Sequence, residues 1–378
     1  MRFPGQRKSK HYFPVGDRDA QLNLAGIEEP ALRTHVVGLD QTLVDIEARV
    51  PESLVERYEL SKGHSLVLQS AAAEKLYDEL REHHLITHEF AGGTIGNTLH
   101  NYSVLADDPS ILLGVMSRDI RIGTYAYRYL CNTSSRVNLD HLQPVDGPIG
   151  RCFALITADG ERTFAISEGQ MNQLRPDSVP DEVFEGASAL LVTAYLMRCA
   201  DGDPMPKAAS RAIELAEQHG VPVVLTLGTK WVVADRPDFW RQFIDDHVNV
   251  LAMNEEEAAA LTGCDDPLLA CDRALEIVDL ALCTTGPSGL YVAGYTDDEV
   301  KRQTKNPLLP GAIAEFNQYE FSRPMLKAAC EHPVRVYSSI APYMGGPARI
   351  SNTNGAGDGA LAALLHDMAA NRYHRFNV

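Results

Sequence analysis

Three observations predict an α/β fold built on a doubly wound, mostly parallel sheet with a small β lid. Apolar segments alternate with amphipathic helical ones from residue 187 onward, the pattern of successive strand–helix crossovers. The run "ASALLVTAYLM" at 187–197 is apolar nearly throughout, as a strand covered on both faces must be. The stretch "GPIGRCFALITADGERTFAIS" at 147–167 breaks the pattern with two extended runs joined by Asp159-Gly160, a hairpin turn rather than a crossover.

Taken in order, the chain offers the strand "VVGL" at 36–39, a helix near 71–83 and the strand "ILLGVM" at 111–116. Residues 118–175 around the hairpin, with part of 40–60, are expected to form the lid of a single domain spanning 1–378. After the buried run comes the helix "KAASRAIELAEQHG", where Ile213, Leu215 and Ala216 share a face and Gly220 marks the stop. The strand "VPVVLTL" (221–227), a Trp-bearing helix around 236–245 and the strand "VNVLAM" (248–253) follow. A helix then starts at Asn254, and "VDLALCT" (278–284) and "GLYVAG" (289–294) supply two further strands. The Pro- and Gly-rich stretch 300–350 reads as a long surface excursion, and a last helix covers 359–370.

Composition narrows the function. A formal charge of −17 over 378 residues argues against a broad nucleic-acid surface and requires a local positive pocket for any anionic ligand. Seven cysteines with no C-x-x-C pair point to free thiols in a reducing cytoplasm, not to disulfides or a zinc site. The N-terminal "MRFPGQRKSKHYFP" is basic but has no apolar core for a secretory signal. No apolar run is long enough to span a bilayer, so no membrane partner is expected.

The stretch "SNTNGAGDGA" at 351–360 carries the chemistry. Gly355, Gly357 and Ala360 match a dinucleotide fingerprint, yet such a site needs a strand before the glycines and a second strand after the helix. Only one helix remains after Asp358, so that reading fails on position. The alternative is an anion cradle. Bare amides of Gly355, Ala356 and Gly357 converge at a helix N-terminus, whose partial positive charge favours an anion. Asp358 at the same place is expected to stay ionised and to accept a proton from a hydroxyl nucleophile. By itself the stretch fits a glycine turn with a capping Asp equally well.

Its companions decide. "AGGTIGNTLHNYSVLA" (91–106) pairs Gly92-Gly93 with Asn97 at a helix start, and "VVGLDQTLVDIE" (36–47) places Asp40 and Asp45 after an apolar strand. Glycines admit a ligand to the backbone, and carboxylates and carboxamides suit sugar hydroxyls. "NEEEAAALTG" (254–263) offers Asn254 and Glu257 for the water shell of a phosphate-bound Mg²⁺, or a plain helix cap. "TTGPSG" (284–289) is a turn or a nucleotide loop, and Arg198 follows the buried strand at its carboxyl end.

In this order, these motifs resemble the ribokinase family of sugar and nucleoside kinases over roughly 36–370. Within it, "FPGQRKSKHYFPV", "GLDQTLVDIEARV", "FAGGTIGNTLHNYSVLADD" and "TNGAGDGALAALLHD" are similar to the bacterial inosine-guanosine kinases. The resemblance implies ATP-dependent 5′-phosphorylation of inosine and guanosine, with Mg²⁺ and room for a monovalent cation such as K⁺. It makes Asp358 the catalytic base and Gly355, Ala356 and Gly357 the anion hole. Asp45, Gly92, Gly93 and Asn97, with Asp40 nearby, become ribose contacts, and Arg162 a lid residue closing over the phosphates or substrate; Arg198 is a substrate-side candidate by its strand-end position alone, or a plain surface Arg. Asn254, Thr284, Gly286 and Gly289 fall to the nucleotide, and Glu257 to the metal through water. The partners implied are a small nucleoside and ATP, with a homo-oligomer left open. "TLGTK" at 226–230 departs from the Asp-x-Asn of many sugar kinases, and family members usually continue past residue 378 into helices that wall the adenine site. Two other readings stay open: a family kinase for adenosine or a free sugar, and a catalytically silent nucleotide-binding protein.

Overall fold

A computed structural model describes residues 35–106, 109–200, 202–300, 302–303, 319–320, 326–342 and 355–370. Its backbone is a large sheet that begins with the strand His35–Leu39 near one end. Parallel strands Ala187–Thr193, Val223–Thr226, Val250–Asn254 and Leu280–Thr284 add on one side, and Ser110–Leu113 and Val137–Asn138 on the other. Beyond Leu280–Thr284 the sheet turns antiparallel through Leu290–Asp297 and Pro333–Ile340, with the short strands Tyr319–Glu320 and Arg302–Gln303 at the far edge.

Both faces are covered, which explains the unbroken apolar strands. Val37 and Leu39 enter one core with the helices Met205–Gln218 and Pro237–His247, while Val36 enters the other with Ser70–Glu82, Thr94–Ala106 and Ala356–Ala370. Successive strand residues point to opposite faces, so a strand that feeds two cores must be apolar at every position. The doubly wound, mostly parallel sheet is as the sequence predicts.

A second sheet of five strands stands apart in the order Ser65–Val67, Arg162–Ser167, Gly150–Ile156, Leu43–Arg49, Ile86–Ala91. The hairpin of Gly150–Ile156 and Arg162–Ser167 forms as read, antiparallel, with Gly160 at φ +88° in its turn. One of its faces (Val44, Ile46, Phe153, Leu155, Ala165) packs into a core; the other, from Asp45 to Phe164, looks the opposite way. Leu43–Arg49 falls within the expected contribution from 40–60, while Ser65–Val67 and Ile86–Ala91 lie outside both expected ranges.

Three local expectations change. The run 187–197 is a strand only to Thr193, after which Ala194–Met197 forms a 3₁₀ turn whose Tyr195 N–H donates to Thr193 Oγ1 at 3.4 Å. "ILLGVM" is two strands broken at Gly114, where a side chain would crowd the Asp40 carbonyl at 2.9 Å. The 300–350 stretch is not all excursion, since Pro333–Ile340 pairs along its length with Leu290–Asp297. Proline at its first position is tolerated because that residue opens the strand.

Gly38 sets how closely the Thr94–Ala106 helix approaches the sheet. A Cβ there would lie 2.5 Å from Ile95 Cγ2 and 2.8 Å from Leu99 Cδ1. Gly38→Val is therefore expected to destabilise the protein by about 1–3 kcal/mol, seen as a lower urea midpoint at unchanged m-value. An unchanged midpoint would show that the helix can step away freely.

Candidate active site

The site grows from the carboxyl ends of the parallel strands, where such sheets leave a crevice. Directly after His35–Leu39, Asp40 is buried and turns back onto the start of the Thr94–Ala106 helix. Its Oδ2 accepts the Ile95 and Gly96 amides, each at 2.9 Å, and its Oδ1 accepts the Gln41 amide at 2.8 Å. Both oxygens are thus taken by backbone donors. Asp40 holds the helix in place. Burial still outweighs these bonds and raises its carboxyl to about 7.

The same geometry explains Gly92-Gly93. Gly93 sits at φ +92° against the Asp40 carboxylate, and a Cβ on Gly92 would fall 2.5 Å from Asp45 Cγ. The pair makes room for two carboxylates of the protein itself, beyond any access it gives a ligand. Asp45 lies on Leu43–Arg49, opposite Cys152 and Phe90 in register. Burial, and then the charge of Asp358, push it up to about 7, while polar contacts to Cys152 and Asn97 act the other way.

Asp358 is the third residue of the Ala356–Ala370 helix. Gly355 precedes it at φ +75°, and the intrahelical ladder starts with Gly359 N–H donating to the Gly355 carbonyl at 2.9 Å. The amides of Ala356, Gly357 and Asp358 therefore have no intrahelical acceptor, one residue later than the expected 355–357 set. Ala356 and Gly357 are exposed, and among the described residues a Cβ on Gly357 would meet nothing within 4 Å. The helix N-terminus was expected to keep Asp358 ionised. Burial opposes it and raises the carboxyl to about 6, partly offset by Asn97, which still leaves it mostly ionised at neutral pH. Asn97, in the first turn of Thr94–Ala106, thus interacts with both carboxylates.

These groups border a cavity of about 420 Å³. Asp45, Asn97 and Gly355 line it, and a second group of Glu47, Phe90, His100, Asn101, Ala154 and Phe164 lines it with them. The second group was missed, although a signal was present. In "VDIE" and "TFAI" every other residue faces the same way, so Glu47 accompanies Asp45. Burial lowers the His100 imidazole below its usual value. Arg162 begins the strand that carries Phe164, and Arg198 is exposed after Ala194–Met197; neither lines the cavity.

Further along the sheet edge, Asn254 and Thr284 end neighbouring strands and pair in register. Asn254 caps the Glu255–Thr262 helix in a capping box. Its Oδ1 accepts the Glu257 amide at 2.9 Å, and its own N–H and Nδ2 donate to the two Glu257 oxygens at 3.0 Å. Glu257 is buried and raised to about 7 by that burial. Among the described residues no three His, Cys, Asp or Glu side chains gather to hold a metal. One carboxylate and one carboxamide already bonded to each other fit an ion that keeps most of its water and takes phosphate oxygens. After Thr284, the turn closes with Thr285 donating to the Gly289 carbonyl at 2.9 Å, and Gly289 at φ +99° abuts the Ile340 carbonyl. Gly289 is thus required by the turn, while Gly286 at φ +51° has open space beside it among the described residues. Tyr195 lies between the two regions, feels the charges of both Glu257 and Asp358, and donates to the Gly228 carbonyl at 3.0 Å.

A mostly parallel sheet with a carboxylate at a helix start at one end of its crevice and a Gly-rich turn at the other fits a phosphotransferase of ribokinase-like fold. Residues 123–307 match the pfkB family carbohydrate kinase model. The chain is 67% identical over all of its 378 residues to the guanosine-inosine kinase of Escherichia coli strain K12, covering 87% of that protein. It therefore belongs to the pfkB kinase family. The fold is similar to that of adenosine kinase from Sinorhizobium meliloti (TM-score 0.65, 22% identity, 89% of this chain and 88% of that one). It is also similar to that of Schistosoma mansoni adenosine kinase bound to 2-fluoroadenosine (TM-score 0.61, 18% identity, 90% and 92%).

The raised carboxyls have a stability consequence. Asp45 holds its proton more tightly folded than unfolded, so its contribution is most favourable at acid pH and is lost as pH rises toward 7. Asp45→Asn is expected to raise Tm by an amount that grows between pH 4 and pH 7.5. A Tm difference independent of pH would remove the assigned burial cost.

Proposed function

We propose that the protein transfers the γ-phosphoryl group of ATP to the 5′-hydroxyl of inosine and guanosine, giving IMP and GMP. The observation that carries this reading is one cavity bordered by Asp45, Asn97 and Gly355, with Asp358 beside it at the helix start. The guanosine-inosine kinase relative, matched over the whole chain, supplies the substrate class.

Asp45 accepts from a ribose hydroxyl while the Asn97 carboxamide fixes the sugar's orientation. That places the 5′-oxygen near Asp358, which takes its proton as the oxygen attacks phosphorus. The Ala356, Gly357 and Asp358 amides stabilise charge on the transferring group, where positioned donors act strongly. Asn254 and Glu257 would hold the water shell of Mg²⁺, which when bound would neutralise phosphate charge. Gly355, Gly286 and the Thr284 turn leave backbone open to the phosphate chain. The small sheet acts as a lid that excludes water from the transfer. No helix among the described residues is long and apolar enough to cross a membrane, and all seven cysteines are free, which supports a cytoplasmic setting.

A panel of inosine, guanosine, adenosine and ribose with ATP tests the reading. Turnover of inosine and guanosine is expected; turnover of ribose alone, or nucleotide binding with no turnover, would overturn it. Asp358→Asn should lower kcat by about 10²–10⁴-fold, the range for losing a general base, with nucleoside and ATP binding nearly unchanged. Retention of more than about a tenth of kcat would demote Asp358 to a helix cap. Because the base works only when ionised, wild-type kcat is expected to fall as pH drops through about 6. A profile flat from pH 5 to 8 would contradict the role. Asp45→Ala should raise KM for inosine far more than KM for ATP, and equal effects on both would contradict a ribose contact.

A further inference from the structure

Glu47 is a buried carboxylate on the cavity wall for which the transfer chemistry has no use. It is 6% exposed and lines the cavity two residues beyond Asp45 on the same face of Leu43–Arg49. On this reading of the site as a nucleoside pocket, we propose that Glu47 is its specificity determinant, accepting the N1–H of a 6-oxopurine.

Two walls carry the argument. Asp45 pairs in register with Cys152, and Glu47 with Ala154, which in turn pairs with Phe164. A strand advances about 3.3 Å per residue, so the Glu47–Ala154–Phe164 row lies about 7 Å past the Asp45 row. That is the distance separating a ribose hydroxyl from the far edge of its purine. The small Ala154 between Glu47 and Phe164 leaves a flat floor, and Phe164 supplies a stacking face. The facing helix advances in step. Asn97 contacts the ribose row, and His100 and Asn101, three and four positions on, share its face one turn further.

Chemistry then fixes the base. Hypoxanthine and guanine present N1–H as a donor, and guanine adds its 2-amino group beside it, so a carboxylate can accept one or both. Adenine presents a bare N1 lone pair at the same edge, which a carboxylate repels and cannot bond. Glu47 is held for this. Thr87 Oγ1 lies 3.2 Å from its Oε1 and 3.1 Å from its backbone carbonyl, with one proton to share between them, and His88 Nδ1 lies 3.5 Å from the same Oε1. A site built around a buried acceptor rejects the analogue that lacks the donor.

The test compares inosine, adenosine and purine riboside, which has neither N1–H nor O6, as substrates of wild type and Glu47→Gln, with Tm recorded for both. Wild type is expected to prefer inosine strongly over the other two. Glu47→Gln should lower kcat/KM for inosine by about 10- to 150-fold, the worth of a charge-assisted hydrogen bond. Adenosine and purine riboside should not fall, and KM for ATP should hold. A variant that keeps the wild-type inosine-to-adenosine ratio, or loses all three substrates equally, overturns the inference while leaving the kinase reading intact. A wild type that uses purine riboside as well as inosine overturns it without recourse to the variant. A wild type that phosphorylates no purine nucleoside overturns the reading of the pocket, and this assignment with it.

Discussion

The Asp40 carboxylate and the three amides that it accepts hold the site together. The two from Ile95 and Gly96 join the end of the first parallel strand to the first turn of the Thr94–Ala106 helix. Everything on that helix inherits its position from them. Asn97 is brought to Asp45 and Asp358, and His100 and Asn101 are brought to the cavity wall. Gly93 lies against the same carboxylate and Gly38 lets the helix settle close to the sheet, so the glycines and the acid form one constraint. The Ala356–Ala370 helix packs alongside Thr94–Ala106, which carries the constraint across to Asp358.

That arrangement is electrostatically costly. Asp40, Asp45 and Asp358 are crowded into one buried region, and burial raises each of them. An evolved core would replace such groups with apolar ones unless they had work to do. Asp40 is repaid by backbone donors. Among the described residues, the lowering contacts of Asp45 and Asp358 come from Asn97 and one thiol, and Asp45 lines the cavity. A ligand rich in hydroxyl donors completes what the fold leaves incomplete.

Much of this was legible in the sequence, for physical reasons that also mark where reading stops. Strands such as Ala187–Thr193 declare themselves because burial on both faces forbids polar residues. The order of glycine and acid motifs survives because each sits at a strand end or helix start, where backbone geometry restricts residue choice. What the sequence hides is which way a short strand faces. Glu47 and Phe164 looked like ordinary lid residues until the register set them beside Asp45, and Pro333–Ile340 looked like loop until Leu290–Asp297 paired with it. The rise of the Asp358 carboxyl to about 6 was hidden for a related cause. The helix dipole is local and visible in sequence, whereas desolvation depends on packing from the lid and the neighbouring helix.

The central claim is that this cavity presents the 5′-oxygen of a nucleoside, and no other hydroxyl, to Asp358. Phosphorus NMR of the product formed from inosine and ATP tests it most directly. The account predicts a single phosphomonoester resonance coupled to the 5′-methylene protons. Phosphate on the 2′- or 3′-oxygen, or free phosphate with inosine left intact, would contradict it.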